Sequence, residues 1–418
     1  MLRNTLILAS LLGSAQAVAY PVPYQRSVEL EKEVIENYAQ LVFLNYSDAL
    51  AGATKLHVSV KSFVTAAATG NTQLSQKLMD VTKSVWTTEA RMPYGQSEIF
   101  RFYNGPIDFE PINDGTTSYL ESINFEGVEG LLNAWPLDEA YIDYVEGAPN
   151  TGLINDRSVS LSKDVIVSMN ELNGEKNIST GYHAVEFLLW GQDRDQMSAG
   201  KRMATDYIDG EKENADRRRE YLGLLSGTIV EHLGKVTAQW TPASTNYRKE
   251  FVGRDSREGL AFLFTAMISM AGDELKSERI ENALLLEDQE EEHSCFSDTT
   301  VNDIYTNALG VKNVYYGQYT GTNMNVSLDG AGVDELVEFV NPTLNAEIKA
   351  AFENVFSGIN AFYATDAAGN VEVGNIVLPF DVAITSEQSK VQKIVDDLDH
   401  LDELLREAAT ELGLALEI

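Results

Sequence analysis

The 418-residue sequence is poor in several residue types, and each scarcity narrows the classes of protein open to it. Its single cysteine, Cys295, excludes an internal disulfide, so the folded chain depends on its apolar core. Only 31 lysines and arginines oppose 64 aspartates and glutamates, and a net charge of −33 argues against nucleic-acid and anionic-membrane partners. No apolar run is long enough for a transmembrane helix. With 44% hydrophobic residues the composition is otherwise that of a globular protein, and the length favours two domains.

The first residues are typical of an export signal. Arg3 precedes an apolar run over residues 6–12, and the small residues Ala15 and Ala17 form a cleavage pattern. We therefore expect residues 1–19 to be a signal peptide and the protein to be secreted or periplasmic. Because no cysteine lies near the cleavage pattern, we do not expect a lipoprotein anchor.

Apolar residues recur every three or four positions along most of the chain, which predicts amphipathic helices. The predicted helices cover about residues 28–69, 74–85, 131–144, 180–190, 222–240, 256–286, 336–362 and 391–412, with a start or kink at Pro342. Long ordered loops are expected at 104–130 and 317–332, and little strand is expected beyond 371–377. The predicted fold is all-α, with two tandem four-helix-bundle-like domains: an N-terminal domain at 20–205 and a C-terminal domain at 206–418.

One short apolar segment carries the strongest chemical signal. Residues 180–191 predict a short helix with Thr180 as its N-cap and Gly191 as the residue that ends it. Within it, His183 and Glu186 are spaced i and i+3, so both side chains project from one face of the helix. A helix this apolar is buried, and a buried carboxylate needs a cation, a proton or an arginine. The pair therefore fits a metal site. It also fits a buried His–Glu hydrogen bond, or a pairing of Glu186 with an arginine such as Arg91.

The remaining histidines and the cysteine give weaker signals. His57, His232 and His400 lie in ordinary amphipathic surroundings and are predicted to be surface or hydrogen-bonded helix residues. His293 lies in an acidic loop and is the candidate for a third zinc ligand, because the His-Glu-x-x-His pattern of zinc peptidases is absent. Cys295 is not expected to act as a nucleophile, since the acids around it raise the pKa of a thiol.

Four segments, in order along the chain, resemble the imelysin-like family, in particular its iron-regulated protein A branch. They are Arg91–Glu98, Asn133–Tyr144, Gly181-x-His183-x-x-Glu186 with the following Phe-Leu-Leu-Trp-Gly-Gln-Asp, and His293–Asp298. The resemblance implies an all-helical fold of two bundle-like domains, export and a role in iron acquisition. Position by position, it implies metal binding by His183 and Glu186, joined by Glu98 and Asp138 from the adjoining motifs.

The sequence thus predicts an exported metal-binding protein, not an enzyme, that captures iron through His183, Glu186, Glu98 and Asp138. Zinc is the other metal favoured by such a nitrogen and oxygen shell. The expected partners are the metal cation and a membrane iron-uptake component. The alternative is a zinc-dependent metallopeptidase that uses His183, Glu186 and His293. A third hypothesis is a structural or adaptor protein without metal, in which His183 and Glu186 pair only with each other.

Overall fold

The computed structural model describes residues 22–104, 131–242 and 245–416, and these ranges are mainly helical, as predicted. The predicted signal peptide and residues 105–130 of the predicted loop lie outside the described residues. The α-helices are α1 Val22–Ala68, α2 Thr72–Val85, α3 Met92–Ser97, α4 Glu139–Ile142, α5 Lys163–Ser168, α6 Gly181–Trp190, α7 Ala215–Trp240, α8 Tyr247–Gly253, α9 Ser256–Ile268, α10 Asn282–Leu286, α11 Thr300–Tyr316, α12 Val333–Val340, α13 Pro342–Asn360, α14 Phe380–Ser386 and α15 Gln388–Glu411. Two antiparallel hairpins pair β1 Gln318–Thr320 with β2 Ser327–Asp329, and β3 Tyr363–Thr365 with β4 Val371–Ile376.

The core is built around α1, the longest helix at 47 residues. It packs along α7 and α2 and also contacts α3 and α9, while α13 packs against α15 near the C-terminus. The buried apolar side chains of all these helices form one contiguous cluster. The predicted domain division at residue 205 stays a prediction. None of the described helices combines the length and the apolarity needed to cross a membrane.

One predicted helix is mostly absent, and one observed helix was not predicted. Within the predicted helix 131–144, only the single turn α4 is helical. The apolar side chains before this turn pack against the core from irregular backbone. The apolar pattern also did not predict α11, because this helix buries polar side chains along the side that faces the centre of the protein. Its buried polar residues include Asn302, Asp303 and Asn307. A helix that buries such groups does not show the apolar stripe on which the prediction depended.

Two π-helical stretches, Trp86–Arg91 and Ser269–Glu281, interrupt otherwise regular helices. The first joins α2 to α3, and the second joins α9 to α10. Each contributes one buried arginine, Arg91 or Arg279, to the region around α6. Such wide turns occur often at functional sites, because they change the direction in which side chains project.

Candidate metal site around His183

Helix α6 carries the His183 motif and is buried along its whole length. It begins at Gly181, whose φ is +88°, and a β-carbon there would lie 2.6 Å from the backbone oxygen of Leu132. The position therefore requires glycine. The helix ends at Gly191, with φ +74°, as predicted. Thr180 occupies the predicted N-cap position, but its hydroxyl bonds to Asn170 Oδ1 at 3.2 Å and does not cap the helix.

His183 and Glu186 contact each other directly, as their spacing predicts. His183 Nδ1 lies 2.8 Å from Glu186 Oε2, and the two side chains are 1% and 0% exposed. The other carboxylate oxygen, Oε1, accepts hydrogen bonds from the backbone N–H of Ser297 at 3.0 Å and from its hydroxyl at 2.6 Å. His183 Nε2 is buried and has no hydrogen-bond partner among the described residues. The pair therefore leaves one imidazole nitrogen free.

Burial dominates the electrostatics of this pair. It raises the pKa of Glu186 well above its usual value, against the opposing effect of the Ser297 hydrogen bonds. It lowers the pKa of His183 well below its usual value, and the nearby charge of Arg91 acts in the same direction. His183 is therefore neutral at pH 7, which is the form of histidine that binds metals.

His293 also lies at this site, with its ring centroid 5.3 Å from that of His183. Its Nε2 is 3.2 Å from Nη2 of Arg91. A guanidinium can only donate, so Nε2 accepts, and the proton of the neutral ring lies on Nδ1. That Nδ1 is 3.9 Å from Asp303 Oδ2. The lone pair of His293 is thus already engaged by Arg91.

Glu98 lies next to the histidines, and its carboxylate is fully hydrogen-bonded. Oε1 accepts from Arg91 at 3.1 Å and from Asn133 at 2.5 Å. Oε2 accepts from Arg279 at 2.9 Å and from Asn307 at 2.6 Å. Burial alone would raise the pKa of Glu98, but the two arginines and these hydrogen bonds lower it to about 2. Glu98 is therefore ionised, and the positive charges of the two arginines balance its negative charge.

Asp138 lies at a different place from the other three predicted ligands. It is exposed and occupies the N-cap of α4, where its Oδ1 accepts a hydrogen bond from the backbone N–H of Ala140 at 3.0 Å. Within the described ranges it makes no hydrogen bond or ion pair with His183 or Glu186. The structure therefore joins His183 directly to Glu186, connects Glu98 to the neighbouring His293 through Arg91, and leaves Asp138 outside this group.

A cavity of about 110 Å³ opens beside His293 and is lined in part by Asn133, Trp135 and Arg279. Asn133 Oδ1 and Trp135 Nε1 are buried polar atoms without a hydrogen-bond partner in the part of the chain that is described. Trp135 also packs edge-on against His183, with ring centroids 5.1 Å apart. A polar cavity of this size holds a few water molecules or a small ligand.

Sequence reasoning missed several residues of this site. Ser297, which binds Glu186, follows it by 111 positions. Asp303 lies on the unpredicted helix α11 and pairs with Arg91 Nε at 2.9 Å. Arg279 was not singled out, because one arginine on an amphipathic helix carries no signal of a buried partner. A polar residue within an otherwise buried stretch, such as Ser297 after the apolar Phe296, is the signal that could have identified the region.

His57 and His400 have the surroundings that the sequence predicts, and Cys295 is buried. His57 Nδ1 is 2.9 Å from the hydroxyl of Ser226, and His400 is exposed. Cys295 is buried, and burial raises the pKa of its thiol well above the usual value, which keeps it protonated.

Comparison with known proteins agrees with this fold. The sequence is 21% identical over 304 residues to iron-regulated protein A of Synechococcus elongatus, a match that covers 70% of this chain and 67% of that protein. A solved structure from Parabacteroides distasonis, provisionally named an iron-regulated protein A precursor, superposes with a TM-score of 0.64 at 17% identity and covers 94% of this chain and 97% of that one. An imelysin-like protein from Psychrobacter arcticum gives 0.52 at 14% identity, with 94% and 98% covered.

These structural likenesses establish the all-α fold. The family is decided by a further match, in which residues 44–408 align with the family model described as imelysin. That range includes α6, the buried arginines and the loop that carries His293 and Ser297. The chain belongs to the imelysin family.

Proposed function

We propose that this protein captures a metal ion, with iron as the cargo, and that His183 Nε2 is its principal ligand atom. The observation that carries the proposal is a buried imidazole whose Nδ1 is held by Glu186 while Nε2 has no partner among the described residues. Buried nitrogen acceptors are normally hydrogen-bonded, so an unpartnered one indicates a ligand. The name of the Synechococcus elongatus relative supports iron as the cargo.

Glu186 acts in this proposal by orienting the histidine. In metalloproteins a ligating histidine usually donates its second N–H to a carboxylate, which fixes the ring and makes the free nitrogen a better donor. The 2.8 Å contact between His183 Nδ1 and Glu186 Oε2 has this form, and Ser297 holds the carboxylate in place. These contacts therefore support Glu186 as the residue that orients the His183 imidazole better than they support it as the direct ligand that the sequence predicts.

Asn133 is a candidate for a further oxygen ligand. Its Oδ1 is unpartnered within the described ranges and lines the cavity, while its Nδ2 is fixed to Glu98. Glu98 neutralises Arg91 and Arg279 and so reduces the repulsion that these arginines would exert on a cation. We assign Glu98 to this charge balance and leave Asp138 out of the site.

The zinc peptidase remains the second candidate, because His183 contacts both His293 and Glu186. One observation favours capture over peptidase chemistry, because the Nε2 lone pair of His293 is engaged by Arg91 and is not available to a metal. Export by residues 1–19 and delivery of the metal to a membrane iron-uptake component complete the proposal.

The test is a binding measurement on the untagged protein with ferrous iron under anaerobic conditions, and with zinc in competition. Wild type should bind one ion, and His183→Ala should lose at least tenfold in affinity, because the principal ligand is gone. His400→Ala removes an exposed histidine and is the matched control, which should bind as wild type does. Equal iron affinity in His183→Ala and wild type would overturn the proposal, and chelator-sensitive cleavage of an unfolded polypeptide would favour the peptidase.

A further inference from the structure

A second group of ionisable side chains, which we call the acidic cluster, is formed by Asp193, Asp298 and Asp381. Each offers one carboxylate oxygen, and these oxygens all lie within 4.8 Å of one another. The residues come from three separate segments: the loop after α6, the loop before α11 and the first turn of α14. A neighbouring cation, Lys201, pairs with Asp195 at 2.7 Å and not with the cluster.

Two buried oxygens of this region point to a missing ligand. Asp381 Oδ2 and Glu292 Oε1 have no hydrogen-bond partner in the described part of the chain, and their residues are only 3% and 2% exposed. The other oxygen of each group is held, Asp381 Oδ1 by the backbone N–H of Val382 at 2.9 Å and Glu292 Oε2 by the hydroxyl of Thr300 at 3.0 Å. Buried carboxylate oxygens are rarely left unsatisfied in this way.

Glu292 is a fourth buried acid of this region, bonded to Thr300, which lies two positions after Asp298. Burial raises the pKa of its carboxyl group well above the usual value, and the charges of Asp381, Asp298 and Asp193 act in the same direction. Four carboxyl groups thus occupy one largely buried region. Like charges at such separations repel strongly unless protons or a cation neutralise them.

We propose that Asp193, Asp298 and Asp381 bind one calcium ion, with Glu292 as a fourth carboxylate beside it. Calcium takes six to eight oxygen ligands, many of them carboxylates, at about 2.3–2.6 Å. The three cluster oxygens lie within 4.8 Å of one another, so one ion can contact all three. Magnesium keeps several of its waters and takes only one or two carboxylates, so a shell of three or four carboxylates favours calcium.

The charge and chemistry of the cluster agree with this ion. An all-carboxylate shell favours hard cations such as calcium over zinc or ferrous iron. Burial, together with the charges of Asp193 and Asp381, raises the pKa of Asp298 to about 8, so without a cation the cluster retains protons. The site therefore differs in chemistry from the imidazole site at His183.

The location of the cluster gives the ion a structural role. Asp298 has a left-handed φ of +55° and directly follows Ser297, whose N–H and hydroxyl bind Glu186. The same loop carries His293 against His183. A calcium ion that joins Asp298 to Asp193 and Asp381 would thus hold in place the loop that completes the metal-capture site.

The experiment is calorimetric titration of the whole chain with calcium chloride after treatment with EDTA, combined with thermal unfolding. Wild type should bind one calcium ion, and its Tm should rise by on the order of 2–5 °C at a hundredfold excess over Kd. Asp298→Asn should lose at least tenfold in affinity and most of the Tm shift. Asparagine tolerates the left-handed backbone, so this variant should fold.

Two further variants separate calcium binding at the acidic cluster from a general effect of surface charge and from metal binding at His183. Glu411→Gln removes an exposed acid of α15 and should leave the calcium response unchanged. His183→Ala should retain calcium binding even if it loses iron, so this proposal and the proposed function can fail separately. The proposal is overturned if wild type shows no heat and no Tm shift with millimolar calcium, if Asp298→Asn responds as wild type does, or if magnesium binds as tightly as calcium.

Discussion

His183 Nδ1 lies 2.8 Å from Glu186 Oε2, within one turn of a helix that water does not reach. The contact fixes the orientation of the imidazole and directs Nε2 away from the carboxylate. Since Ser297 holds the other oxygen of Glu186, the position of the imidazole depends on a loop more than a hundred residues away. The proposed capture site is therefore built from two segments that are distant in the sequence, and variants in either segment should change the binding of the metal.

Glu186→Gln should weaken iron binding by about 10- to 100-fold without abolishing it, because a neutral amide positions His183 less well than a carboxylate does. The measurement is competitive titration with a chelator of known affinity. Glu411→Gln is the control, since it removes an exposed acid far along the sequence and should leave the affinity unchanged. If Glu186→Gln abolished binding as completely as His183→Ala, Glu186 would be a direct ligand.

Ser297→Ala should lower the free energy of unfolding by about 1–3 kcal/mol, because it leaves a buried carboxylate oxygen without its hydroxyl donor. Urea titration followed by circular dichroism measures the change. Ser62→Ala, on the exposed side of α1, removes only a local bond to the backbone oxygen of Val58 and should cost under about 0.5 kcal/mol. Equal losses in the two variants would contradict the role given to Ser297.

Arg91→Met should destabilise the protein by about 3–5 kcal/mol. Arg91 pairs with Glu98 at 3.1 Å and with Asp303 at 2.9 Å, and its removal leaves buried carboxylates without their countercharge. The loss should appear in urea titration as a lower midpoint with an unchanged slope.

The control for Arg91→Met is Lys393→Met on α15. This lysine forms an ion pair with Asp397 at 2.6 Å and is about half exposed, so its loss should cost no more than about 1 kcal/mol. If the two variants were equally stable, the buried arginine network would not contribute to the fold as described.

Lowering the pH should reduce the free energy of unfolding by protonating Asp143. Burial alone would raise the pKa of Asp143, but Arg202 and Arg218 lower it to about 2. A carboxyl group whose pKa is lower in the folded state stabilises the fold above its unfolded pKa, and this contribution is lost as the pH falls. The stabilisation, about 2 kcal/mol, should thus be present at pH 5 and disappear between about pH 4 and pH 2.

Comparing wild type with Asp143→Asn tests this pH dependence. The variant is less stable at pH 5, because two buried arginines lose their carboxylate partner. The difference between the two proteins should narrow by about 2 kcal/mol as the pH falls to 2, since wild type then loses the same interaction. A difference that stayed constant over this range would show that Asp143 has an ordinary pKa in the folded protein.

The sequence by itself determined the helical class of the protein and the internal geometry of its motif. Apolar residues at helical spacing predicted α1, α2, α7 and α15, because periodicity is a local property that one face of a helix imposes on its own residues. The i and i+3 spacing likewise placed His183 and Glu186 on one face, where they meet. Gly191 ends the helix, as its place after the apolar segment predicted.

Only the tertiary structure decided which groups surround that pair. It placed Ser297 on Glu186, Arg91 between Glu98 and His293, and Asp138 at the surface. It also brought the acidic cluster together from two loops and the first turn of one helix. Contacts between residues a hundred or more positions apart follow from how helices pack, and no pattern of neighbouring residues along the chain encodes that packing.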